Sequence, residues 1–194
     1  MVRRNDLGLA YAGGKGVDRD RPRAVALFEK ACDGGGAGGC ESLAAVTETG
    51  SGVPRDTSRA AQLFRQACNG GDAPACTRLG AMLESGQGVP RDAGAAVPLY
   101  QQACDGDDVA GCERLAAIDD QGVGGTADAT HAVALYQKAC DAGDAHVCSS
   151  LGQRNERGSG APVDRAHAID LYRHGCKLGD ASGCAQLRRL GESP

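Results

Sequence analysis

Ten cysteines carry the chemistry that can be read first from this chain of 194 residues. They fall as Cys32 and Cys40, Cys68 and Cys76, Cys104 and Cys112, Cys140 and Cys148, and Cys176 and Cys184. The members of a pair stand 8 apart, and each pair follows the last by 36 residues. Cysteines so placed can join as disulfides, hold a metal or act as nucleophiles. A nucleophile needs an unpaired thiolate beside a base, and here every cysteine has a partner eight residues on. Zinc sites space their cysteines by about 2–4 residues, unlike Cys-x7-Cys. Metal binding stays open only for pairs that are reduced.

The other reactive side chains are sparser. His131 and His167 share a column on successive second helices and read as a solvated face; His174 replaces Lys or Gln and reads as exposed. His146 stands two residues before Cys148 and would join a metal site if that pair were reduced. Glu48, Glu84, Asp120 and Glu156 form a ladder of carboxylates near the ends of successive first helices. They are too far apart for paired acid–base catalysis, and they read as a soluble rim or as a stripe for an extended partner. Arg78, Arg114, Arg154 and Arg157 lie nearby as further candidate contacts. The chain has no Ser-x-x-Lys, His-Glu-x-x-His, Gly-x-Ser-x-Gly or phosphate loop. Gly13-Gly14-Lys15-Gly16 is a repeat turn whose Lys the other turns lack. No catalytic residue, metal ligand or cofactor is expected.

What must position these groups is a repeat, because other columns keep the same step. Leu7, Leu43, Leu79, Leu115, Leu151 and Leu187 form one, and Leu27, Leu63, Leu99, Leu135 and Leu171 another. Phe28, Phe64, Tyr100, Tyr136 and Tyr172 form a third. Gly14, Gly50, Gly86, Gly122 and Gly158, with Gly16, Gly52, Gly88, Gly124 and Gly160, mark a turn that Asp20, Asp56, Asp92, Asp128 and Asp164 follow. One unit reads as two helices. Asp72 caps the first, which buries Cys76, Leu79, Met82 and Leu83 at helical spacing and ends at Gly86. Asp92 caps the second, which buries Ala96, Leu99, Tyr100 and Ala103 and ends at Cys104; Asp108 caps the next first helix. A tight loop between such helices brings Cys104 and Cys112 within the ~4.4–6.8 Å that a disulfide spans. Each cysteine is therefore paired with the one eight residues on. A lone helix pair cannot bury its own face, so the units stack.

Two departures are local. Pro98 falls inside a second helix, where a missing N–H should kink or delay it. In the column of Tyr11, later units place Thr47, Leu83, Asp119 and Asn155, which predicts a core that loosens toward the C-terminal half.

The turn Gly-x-Gly-Val-x-x-Asp (Gly52, Val53, Asp56; Gly88, Val89, Asp92), followed by Ala, Leu and Phe or Tyr before Ala-Cys, resembles the Sel1-like repeat family. Within it the chain is similar to the cysteine-rich subgroup typified by the Helicobacter cysteine-rich proteins. Gly125 and Thr126 stand where other units have Val and Pro, and Ala161 and Pro162 shift the Pro by one. The resemblance implies an all-α, right-handed α/α solenoid whose concave surface is lined mainly by first helices. The expected organisation is one solenoid over 1–194. Its units are about 1–35 (opening partway through a first helix, with Arg4 in a cysteine column), 36–71, 72–107, 108–143 and 144–179. A capping helix follows at 180–191.

Composition sets the remaining limits. Aromatics are 3% and Trp is absent, so the core is built from small side chains and bridges, and a β-sandwich or barrel is disfavoured. A net charge of −4 leaves no cationic excess for nucleic acid, and no apolar run approaches the ~18 residues of a membrane span. Disulfides persist mainly in oxidising compartments, which points to the periplasm or secretion, although Met1 to Asp6 do not read as a signal peptide. A cytoplasmic, reduced chain is the alternative.

Three functions remain. The first is a monomeric, non-catalytic scaffold that holds a protein or extended peptide on the concave face. The resemblance implies the other two: the β-lactam binding or slow hydrolysis with which the Helicobacter proteins are labelled, and a redox or metallochaperone assembly role.

Overall fold

A computed structural model describes residues 2–121 and 128–193. The described residues are helical throughout, joined by short turns, with no strand. Gly122, Gly124, Gly125 and Thr126 lie outside them. The chain divides into two compact units, Met1–Gly106 and Asp107–Pro194. The first holds α1 (Val2–Gly13), α2 (Arg21–Asp33), α3 (Ala37–Thr49), α4 (Thr57–Asn69), α5 (Ala73–Ser85) and α6 (Ala93–Asp105). The second holds α7 (Val109–Gln121), α8 (Ala129–Asp141), α9 (Ala145–Arg157), α10 (Arg165–Lys177) and α11 (Ala181–Leu190). Odd-numbered helices are the first helices of the repeat. In each unit consecutive helices pack together, and first helices also meet across repeats, α1 on α3 and α9 on α11. This is the helix-pair stacking of an α/α solenoid.

Local chemistry sets the helix ends. The Asp20, Asp56 and Asp92 carboxylates accept from the amides of Arg23, Arg59 and Ala95 and start α2, α4 and α6. Asp128 and Asp164 do the same for α8 and α10. Asp72, Asp108, Asp144 and Asp180 accept the corresponding bonds at α5, α7, α9 and α11. The first helices α3, α5 and α9 end on Gly50, Gly86 and Gly158 in the left-handed conformation. In the first unit Arg19, Arg55 and Arg91 donate through Nε to the carbonyls of Ala12, Glu48 and Glu84, seven residues back. A guanidinium there satisfies carbonyls that the helix leaves open and faces its negative end.

The core is a row of rings seated on small residues. Phe28, Phe64, Tyr100 and Tyr172 are all essentially inaccessible. The rings of Phe28, Tyr100 and Tyr172 lie against the first helix of their own repeat, where a Cβ on Gly8, Gly80 or Gly152 would come within 2.5–2.7 Å of a ring carbon. The alanine column Ala24, Ala60, Ala96, Ala132 and Ala168 is buried beside them.

One expectation is corrected. Pro98 neither delays nor shortens α6, which starts in the same register as α4 and has the same 13 residues. The N–H it lacks would have bonded to Gly94, in the first turn of the helix, so little of the ladder is lost. In the column of Tyr11 the polar side chains find partners. Buried Thr47 donates to the Leu43 carbonyl and buried Asn155 to the Leu151 carbonyl, each four residues back, while Asp119 meets His131.

Candidate functional site

The cysteine pairs sit at the corner between a second helix and the next first helix. Cys32–Cys40, Cys68–Cys76, Cys140–Cys148 and Cys176–Cys184 are bridged, with Cα separations of 4.4, 4.7, 4.7 and 4.8 Å. Cys104 and Cys112 are oxidised too, and no described cysteine is free. At four of the five corners an Asp starts the next helix four residues before the second cysteine, and at Cys40 Gly36 takes that place without a side-chain cap. Oxidised pairs of this kind fit an oxidising, non-cytoplasmic environment.

The carboxylate ladder meets the aromatic column. Tyr100 donates its hydroxyl to Glu84 at 2.5 Å, Tyr136 to Asp120 at 3.2 Å and Tyr172 to Glu156 at 2.8 Å. Each pair is 16 residues apart. Asp120 also receives both terminal nitrogens of Arg154, whose guanidinium lies 4.6 Å from the centre of the Tyr136 ring. Glu156 takes Arg189 at 2.6 Å on both oxygens. The carboxylates therefore cap tyrosine hydroxyls that dip into the core.

Reading the ladder as surface alone missed this, yet the signal is in the sequence. Acidic residues stand opposite Tyr100, Tyr136 and Tyr172, whereas Ala12 stands opposite Phe28; Glu48 opposite Phe64 is the exception. The hydrogen bond from Arg189 holds the Glu156 carboxyl below its ordinary range against the cost of burial, with help from Tyr172. Burial, then the bond to Glu156, pushes Tyr172 well above the ordinary phenol range. Tyr136 is raised by burial and by Asp120.

The remaining candidates are spread over the first helices. Arg78 on α5, Arg114 on α7 and Arg157 on α9 are exposed, and Glu48 at the end of α3 is half-buried. His131 is exposed, with Nδ1 2.6 Å from Asp119. His146 lies 3.9 Å from Asp180 rather than beside a cysteine. Burial would raise the Asp180 carboxyl, but the neighbouring Ser149 hydroxyl and the amides of Gly183 and Ser182 favour its charged form. Their sum, with His146, holds Asp180 below its usual range. The histidine beside a bridge is His174: its ring nitrogen and the sulfurs of Cys140 and Cys148 lie within 4.8 Å of one another. No described helix is long and apolar enough to cross a membrane.

Comparison with known proteins agrees with the repeat. Residues 4–36, 39–72, 73–108, 109–144 and 145–180 each match the Sel1 repeat. No curated protein matches the chain. A protective antigen of uropathogenic Escherichia coli strains superposes with a TM-score of 0.89 at 24% identity, over 97% of this chain and 42% of the antigen. The chain thus spans less than half the length of that protein. A Sel1 repeat protein from Oxalobacter formigenes gives 0.85 at 25% identity, covering 98% of this chain and 77% of its own. Cysteine rich protein B of Helicobacter pylori gives 0.55 at 24%, covering 69% and 96%.

Proposed function

The chain belongs to the Sel1 repeat family, and from that premise we propose that it is a non-catalytic, monomeric scaffold that binds a protein or extended peptide on the concave face lined by its first helices. The observation that carries this reading is the division of charge on those helices. Asp120 and Glu156 are neutralised by Arg154 and Arg189, whereas Arg78 in the first unit and Arg157 in the second stand exposed. An acidic side chain of the bound segment meets such an arginine on the first helices of either unit, with Glu48 and Glu84 at the rim in the first. The bridges fit a periplasmic or secreted scaffold, since disulfides persist in oxidising compartments and hold the face rigid there. Rigidity reduces the ordering cost of binding.

A displayed peptide library selected on the oxidised protein tests this. Enriched peptides should be acidic, and the Arg78→Glu and Arg157→Glu variants should lose them. Enrichment that survives both substitutions would place the binding surface elsewhere. The β-lactam reading finds no support in the site, where every described cysteine is oxidised and no base adjoins a free nucleophile. A chromogenic β-lactam should be hydrolysed no faster than in buffer, and turnover would overturn the non-catalytic part of the proposal.

A further inference from the structure

One bridge differs from the rest in what lies over it. His174 stands on α10, in the column that holds Lys30, Gln66, Gln102 and Lys138 in other repeats. That column reaches back to the preceding corner: Gln102 donates through Nε2 to the Cys68 carbonyl at 3.1 Å. At position 174 the same reach delivers an imidazole to Cys140, at the end of α8, and Cys148, in the first turn of α9. The three ligand atoms lie within 4.8 Å of one another. Both cysteines are buried, and His174 is exposed.

We infer that Cys140, Cys148 and His174 form a redox-gated site for a zinc-class cation, closed while the disulfide stands and opened by its reduction. Two thiolates and one imidazole are a donor set that zinc favours, and water takes the fourth position. Zn–S bonds of about 2.3 Å in a tetrahedron set the sulfurs roughly 3.8 Å apart. Side chains on Cα atoms 4.7 Å apart reach that separation by rotation about Cα–Cβ. The steps balance. A dithiol reductant gives two electrons and two protons to the Cys140–Cys148 bond and closes to its own disulfide. The cation then displaces both thiol protons to solvent and takes a ring nitrogen of neutral His174. Bridge and cation exclude each other, so oxidation releases the metal.

Cobalt(II) is the probe. The Cys140–Cys148 bond is opened with limiting trialkylphosphine, and alkylation mapping shows which bonds remain. The reduced chain should bind one cobalt with tetrahedral ligand-field bands and sulfur-to-metal charge transfer, and the oxidised chain should show neither. His174→Gln puts in the residue that the same column holds at Gln66 and Gln102. It should weaken cobalt binding by at least roughly tenfold, a loss that even outer-shell partners produce. His146→Gln should leave it unchanged, and C140S with C148S should abolish it. Equal affinity in His174→Gln would overturn the site. So would loss of the helical circular dichroism when this one bond is opened, because the site needs α8, α9 and α10 in place.

Discussion

At the scale of the residue, the tyrosine–carboxylate pairs give the protein two pH limits. Arg189 and Tyr172 favour the charged form of Glu156, whose folded pKa is depressed. That stability is present above the unfolded carboxyl value of about 4.3 and is lost as pH falls through the folded value. Tyr172 has the opposite sign. Its folded pKa is raised, so its share is complete below about 10 and is lost as pH climbs through the folded value. Tyr172→Phe should cost about 1 kcal/mol at neutral pH, the net worth of one hydrogen bond. It should also flatten the alkaline fall in melting temperature. Thermal melts from pH 3 to pH 11 on both chains check this, and an unchanged alkaline slope would remove Tyr172 as the cause. Arg154 acts differently, through the face of the Tyr136 ring and both oxygens of Asp120. Losing it leaves a half-buried carboxylate short of a cation, so Arg154→Met should destabilise the unit Asp107–Pro194 by about 1–3 kcal/mol, read from urea midpoints.

At the scale of the element, the turns are where sequence changes are least tolerated. Gly16 and Gly160 occupy the same column and share positive φ, 75° and 82°. A Cβ on Gly16 would meet nothing within 4 Å, while one on Gly160 would fall 2.1 Å from the Ala129 carbonyl oxygen. Gly16→Ala should therefore cost only the conformational penalty, about 1 kcal/mol, and Gly160→Ala clearly more. Denaturant midpoints of the two variants separate backbone strain from steric exclusion. The helices, their caps and the bridged corners were legible because a fixed period repeats each requirement: Asp at the start, Gly at the end, cysteine at the corner. The hydroxyl-to-carboxylate bonds were not read, because they depend on which faces of two helices meet, and Tyr100 reads as apolar when only burial is considered. His174 is exposed, as its sequence suggests, but its place beside a bridge was not read, for a related reason. Its neighbour is a cysteine 34 residues away, across a repeat boundary, whereas His146 is close only along the chain.

At the scale of the whole molecule, the bridges supply what the small core cannot. Each closes a loop of eight residues, worth roughly 2.5 kcal/mol by the chain-entropy estimate. Removing one bridge, as Cys68→Ser with Cys76→Ser, should lower stability by about 2–3 kcal/mol. Losing all five removes on the order of 12 kcal/mol, as much as a domain's entire stability of about 5–15 kcal/mol. Equilibrium denaturation under oxidising and reducing conditions should show that difference. Cys32–Cys40, Cys68–Cys76, Cys140–Cys148 and Cys176–Cys184 are all local, each tying a helix end to the next helix start, and none of them links distant repeats. Under tension the bridges would not hold the ends of the chain together. Pulled from its termini, the protein would still pay out helix by helix. Each bridge withholds only the slack of its corner, roughly 23 Å of contour. Force traces of the oxidised and reduced chains would then differ in final length by a small, countable step per bridge.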